Sequence, residues 1–243
     1  MPASAATSPS PFVQGVEPIT ETDEQLAAIL AEAELAPLLP ALAYLTGDRS
    51  LLRLELRPDP LLVSMPFNGY TDDQQAQIRA LALVALRRYR DGGCVPATVP
   101  SDDGLLAMME WTVGGEGMAA YLPLLEEELA YKGEDRRAPQ WRLDNVAPGR
   151  DLDVVIIGAG MSGILAGHRL QQAGVPFTIL DKNADVGGTW LEAAYPGCRV
   201  DNPNHNYSYS FAQRHDWPGY YSSQETLRQY FAACADAFDV RRH

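Results

Sequence analysis

The chain has 243 residues, enough for one large domain or two small ones, and its 46% hydrophobic and 21% charged residues are ordinary for a soluble globular protein. Its formal charge is −13, with 12 basic against 22 acidic residues up to Arg150 and 7 against 10 beyond it. An acidic chain repels nucleic acid and anionic membrane surfaces, so neither is an expected partner.

Residues 1–18 are rich in Ala, Ser and Pro and are expected to be disordered. Met1–Thr20 holds no Lys or Arg and no apolar core, so it is not a signal peptide. Thr22-Asp-Glu-Gln25 reads as a capping box, and Leu26, Ile29, Leu30 and Ala33 recur at helical spacing. Leu38–Thr46 reads as a second short helix stopped by Gly47, and Pro58-Asp-Pro60 as a turn. Thr71-Asp-Asp-Gln74 is another capping box, opening a helix to about Tyr89 that Gly92-Gly93 ends. Ser101-Asp-Asp starts a further helix, and Met118–Tyr131 is a last one before Gly133. The helical region is thus expected over residues 19–135, followed by a polar linker over 136–150.

The pattern then changes. Asp153–Ile157 is a short β-branched run of the kind found in a buried parallel strand. Met161–Ala173 has helical spacing and Gly174 ends it; Phe177–Asp181 reads as a second strand. No internal repeat is visible. The fold class expected is α/β: an all-helical N-terminal extension, then over residues 151–243 the start of a doubly wound, Rossmann-like domain. Val154–Gly167 is too short and glycine-rich to span a bilayer. Cys94, Cys198 and Cys234 are far apart, with no C-x-x-C pair, which argues against a disulfide framework and a zinc site. No metal site and a cytoplasmic location are expected.

Gly158-Ala-Gly160-Met-Ser-Gly163 fits G-x-G-x-x-G. It follows a strand, opens a helix and has an acidic residue, Asp181, about 20 residues further on. Gly158 permits the tight turn, Gly160 lets a diphosphate approach the backbone, and Gly163 lets the helix lie close to the strand. The helix N-terminus offers free N–H groups and partial positive charge to phosphates. At the end of the second strand a carboxylate can accept from both ribose hydroxyls, and Asp181 disfavours a 2′-phosphate there.

Directly after Asp181 come Gly187-Gly188-Thr189-Trp190, then Tyr195-Pro-Gly-Cys-Arg199-Val-Asp201 and Tyr207-Ser-Tyr-Ser-Phe211. This order resembles the class B flavoprotein monooxygenases, most of all the Baeyer–Villiger type, from Asp151 to His243. The long helical extension resembles the subgroup acting on 4-hydroxyacetophenone. The resemblance implies FAD and NADPH as cofactors, a ketone and O2 as substrates, and an ester as product. An aryl ketone is the substrate it suggests. It implies that Gly158, Gly160, Ser162, Gly163 and Asp181 hold the FAD adenosine and diphosphate. Gly188, Thr189 and Trp190 would lie along the ribityl chain and flavin. Asp201, the catalytic candidate, matches an aspartate beside the flavin that orients an essential arginine. Tyr207 matches a flavin-contacting tyrosine, and Arg199 lies where NADP approaches.

Plainer readings stand beside these. Trp190 can also be read as a core aromatic, Asp201 as a turn or cap residue, and the Tyr207/Tyr209 alternation as a half-buried strand. His205 and His215 read as surface or loop residues, and Cys198 as a packed thiol. The chain also departs from the family. Ala193 stands where Asn is usual, two residues before the tyrosine of Y-P-G. F-x-G-x-x-x-H-x-x-x-W/P is missing: Phe67-Asn-Gly69 is followed by Asp73 where His is needed. A second G-x-G-x-x-G for NADPH and the essential arginine are also missing, and a further strand is expected where the chain stops at His243, so the chain reads as truncated. Residues 1–243 alone are expected to be inactive. The alternatives are an N- or S-oxygenating flavin monooxygenase, and an inactive fragment that homodimerises through its helical region.

Overall fold

The computed structural model describes residues 18–62, 65–129, 135–214 and 216–243. The expected disorder of residues 1–17, the end of the helix expected to reach Tyr131, its stop at Gly133 and the loop reading of His215 lie outside those residues. Two compact units are described, one running to Glu126 and one from Glu127 to His243.

In the first unit, α1, α3 and α4 start where a short side chain can satisfy a first-turn N–H group. Thr22 caps α1 (Asp23–Glu32), and the Gln25 side chain returns the bond to complete the box. α2 (Leu38–Thr46) ends on Gly47 at φ 71, a left-handed turn that costs glycine no steric clash. Thr71 and Gln74 form a second box at the head of α3 (Asp72–Asp91). α3 buries Ile78, Ala82, Ala85 and Tyr89 on one face, and α1 and α2 both pack on it. Ser101 caps α4 (Asp102–Val113), whose Trp111 indole donates to the Arg53 carbonyl at 2.9 Å. The helix expected from Met118 divides in two: Met118–Tyr121 is a 3-10 turn, and α5 is Leu122–Leu129, which runs past the boundary at Glu126. Pro123 explains the break, since proline lacks the N–H of a helix interior and belongs in a first turn.

In the second unit, the stretch expected as a linker contains α6 (Leu143–Val146), and Leu143 packs against Ala173 and Val175. β1 (Val154–Ile157) and β2 (Phe177–Leu180) pair in parallel, Val154 opposite Phe177 through Ile157 opposite Leu180. α7 (Met161–Gln172) crosses between them. It lies so close to the sheet that a Cβ on Gly167 would stand 3.0 Å from the Phe177 ring.

β1 differs from the buried strand expected of it. Val155, Ile157 and Leu180 are 59%, 81% and 53% exposed. In-register parallel neighbours point the same way, so these three share one face and α7 covers the other. α8 (Thr189–Glu192) and α9 (Gln224–Ala237) complete the unit. No helix is expected at α9 from the sequence reading above, yet it forms the core: Leu227, Tyr230, Phe231 and Cys234 are fully buried. No strand forms at Tyr207–Tyr209. Among the described residues no helix is long and apolar enough to cross a membrane.

Candidate functional site: a glycine loop against a second glycine turn

The site is built from β1 outward. At the end of β1, Gly158 takes φ 100 and its N–H donates to the Leu180 carbonyl at 2.7 Å, so the chain turns while still tied to β2. One helical turn on, Gly163 comes back against it: a Cβ there would stand 1.8 Å from the Gly158 carbonyl oxygen. No other residue fits without moving backbone. Gly160 is the N-cap of α7, and no side chain caps the helix. The N–H groups of Met161, Ser162 and Gly163 have no carbonyl one turn earlier to bond, and the peptide dipoles leave partial positive charge there. Ser162 is exposed in this turn.

The second glycine motif meets the first backbone to backbone. A Cβ on Gly188, which sits at φ 53, would lie 2.8 Å from the Gly160 Cα. The Gly187 N–H donates to the Ala159 carbonyl at 3.0 Å. The Ala159 N–H in turn donates to Asp181 Oδ2 at 2.6 Å, while Asp181 Oδ1 accepts the Asn183 N–H at 2.7 Å. These two backbone donors, Ala159 first, hold the Asp181 carboxyl below the usual carboxylate range. Asp181 is therefore ionised and acceptor-only, with lone pairs to spare for a ligand hydroxyl. Ala159 joins the three motifs through its peptide groups alone, which is why no side-chain pattern in the sequence marks it.

Thr189, exposed, opens α8, and Trp190 is 8% exposed in the core of the unit. The Trp190 indole donates to the Tyr207 hydroxyl at 3.2 Å, and the two rings meet edge to face at 5.7 Å. Gln224, at the start of α9, donates to the Trp190 carbonyl. Glu192 accepts from Lys182 at 3.1 Å and Asn183 at 2.8 Å, tying α8 to the loop after β2.

Arg199 and Asp201 are exposed on the next loop. Arg199 donates to the Tyr221 carbonyl at 3.0 Å, and Asp201 accepts from its neighbour Asn202 at 3.3 Å. Among the described residues neither is hydrogen-bonded to the glycine turns or to Trp190 and Tyr207. Their loop hangs on Asn204, which is fully buried. Asn204 accepts the Ser222 N–H at 2.9 Å, donates through its side chain to the Gly219 carbonyl, and donates its own N–H to Tyr220 at 2.9 Å. In D-N-P-N the sequence gives a buried asparagine no signal that separates it from a turn residue.

Residues 156–223 match the model of the NAD(P)-binding Rossmann-like domain. A Baeyer–Villiger monooxygenase of Streptomyces coelicolor is 44% identical over 91 residues, 37% of this chain and 18% of its own length. An uncharacterised monooxygenase of Sinorhizobium fredii is 30% identical over 217 residues, 89% of this chain and 32% of its own length, so that alignment runs into the helical part as well. A 2-oxo-Δ3-4,5,5-trimethylcyclopentenylacetyl-CoA monooxygenase of Pseudomonas putida is 37% identical over 42% of this chain and 19% of its own length. An oxidised steroid monooxygenase solved with NADP is 38% identical over 37% of this chain and 18% of its own, with a TM-score of 0.36, too low to bear on the fold. The chain therefore spans a third or less of the length of these relatives. Over part of its length it is homologous to the Baeyer–Villiger and FAD-binding monooxygenases, through a segment that matches the model of a Rossmann-like domain.

Proposed function

We propose that this chain is the FAD-binding front of a Baeyer–Villiger monooxygenase that uses NADPH and O2 to convert a ketone, an aryl ketone in this reading, into an ester. The observation that carries it is the uncapped start of α7 set against Gly158, Gly160 and Gly188. Such a turn suits a diphosphate: its donors are unsatisfied, its charge is positive and it has no side chains to exclude the ligand. Asp181 stands ionised beside it to accept ribose hydroxyls, and would repel a 2′-phosphate.

In this reading bound FAD, reduced by NADPH, supplies the oxygen-transfer chemistry. The chain's own residues bind and orient it. Ser162 and Gly163 donate to the diphosphate; Gly188 and Thr189 line the way to the flavin; the Trp190–Tyr207 pair closes that end against water. Asp201 holds a cationic side chain from elsewhere in the protein, and Arg199 meets NADP. The helical unit, which ends at Glu126 rather than at the expected residue 135, forms a homodimer contact, and the unit from Glu127 to His243 forms the front of the FAD domain.

The test is the full-length protein, purified and scanned for flavin absorbance, then supplied with NADPH, O2 and an aryl ketone. A yellow protein that forms ester supports the reading, and Asp201→Ala should keep the flavin and lose most ester formation. A protein that binds no flavin, or that oxygenates amines and sulfides but no ketone, contradicts it. Gel-filtration mass decides the homodimer.

A further inference from the structure

We infer that Tyr209 is a positioning residue for the diphosphate site: through the Met161 carbonyl it aims the Ser162 N–H out of the first turn of α7. The inference rests on the function proposed above, and begins from one bond. Tyr209 is 6% exposed, and its hydroxyl donates to the Met161 carbonyl oxygen at 2.5 Å. Met161 is the first residue of α7. Its C=O and the Ser162 N–H belong to one planar trans peptide, so the N–H points opposite to the carbonyl. The helix orients this peptide, and a donor fixed on its carbonyl holds the N–H in that direction at the otherwise free first turn. It also polarises the peptide, which makes the N–H a stronger donor. The Ser162 N–H is one of the first-turn groups that the helix itself leaves without a partner.

Tyr209 can do this because it is itself held. Its own N–H donates to the Tyr230 hydroxyl at 2.9 Å, and that hydroxyl donates to the Ala212 carbonyl at 3.0 Å. The rings of Phe211 and Phe231 lie 5.3 and 5.7 Å from its ring. Burial pushes the phenols of Tyr209 and Tyr230 up, so both keep their protons. Two residues earlier, Tyr207 takes the Trp190 indole. The segment Tyr207–Phe211 therefore holds the starts of both α7 and α8, and its alternating tyrosines have separate tasks.

Tyr209→Phe keeps the ring and removes the hydroxyl. In the full-length protein, FAD and ADP should each bind about fivefold more weakly, the scale of one net hydrogen bond. Adenosine, which lacks the diphosphate, should bind both forms alike. Fluorescence titration gives the affinities, and melting of the cofactor-free protein reports the fold. Unchanged FAD and ADP affinities, equal weakening of adenosine, or a variant that does not fold would each assign Tyr209 to the core alone and overturn the inference. A wild-type protein with no affinity for FAD overturns the functional reading instead.

Discussion

Three helices of the first unit, α1, α3 and α4, and α7 of the second begin in opposite ways. Thr22, Thr71 and Ser101 cap α1, α3 and α4 with their own side chains, whereas α7 begins on a glycine with no side-chain cap. A capped start has already bonded one of the N–H groups that would meet an anion and sets a side-chain oxygen in the anion's place. An open start leaves those donors unsatisfied, which is unfavourable until a ligand arrives. The α/β unit keeps this start open by fixing it from outside. Asp181 holds Ala159, Tyr209 holds Met161, and Gly158 accepts Gly163 against its carbonyl. Stability in the first case is local; in the second it is borrowed from residues far along the chain.

The sharpest contrast is a pair of substitutions. Gly163→Ala puts a methyl 1.8 Å from the Gly158 oxygen, so β1 or α7 must move, and a loss of more than about 4 kcal/mol is expected, with no flavin retained. Thr71→Ala removes one cap of α3 and should cost about 1 kcal/mol while leaving FAD affinity unchanged. Urea unfolding and flavin content measure both. If Thr71→Ala loses flavin, or Gly163→Ala keeps it, the two kinds of helix start are not separate.

Histidine titration should act on the α/β unit alone. His168 of α7 stacks on Phe238 at 4.2 Å and Phe211 at 5.2 Å. Burial, and then the neighbouring Arg169 charge, hold its pKa down at about 4, against a smaller opposing pull from Asp135. The folded imidazole therefore stays neutral while the unfolded one gains a proton below 6.5. Stability from this group is complete above pH 6.5 and falls as pH drops from 6.5 towards 4, by less than about 1.4 kcal/mol per pH unit, since the ring is partly solvated. All four histidines lie beyond residue 150, so the helical unit has none to titrate. His168→Gln should flatten the decline in urea midpoint over that range; an unchanged slope would remove His168 as its cause.

The same contrast explains what the sequence discloses. Thr22 with Gln25 and Thr71 with Gln74 are legible because both partners lie within one turn. The G-x-G-x-x-G turn and its aspartate are legible because their spacing follows from the strand–turn–helix path. The spacing of Leu227, Tyr230, Phe231 and Cys234 is helical too, although no helix is predicted there above. Tyr207 and Tyr209 show the limit of periodicity: alternation suggests a strand, but each tyrosine faces a different distant partner. Asn204, Gln224 and Ala159 act through contacts that only the folded chain brings together.

Gly160→Ala in the full-length protein tests the proposed diphosphate site most directly. Gly160 has φ −78, and an added Cβ would meet Gly188 at 3.4 Å, a contact the cofactor-free fold accepts. A methyl there would block a diphosphate lying on the backbone. Flavin content per mole of protein is the measurement, with a melting curve of the cofactor-free forms beside it. The expected result is a variant that melts with the wild type and is purified colourless. A variant that folds and keeps full flavin occupancy would contradict the assignment of this turn as the cofactor site.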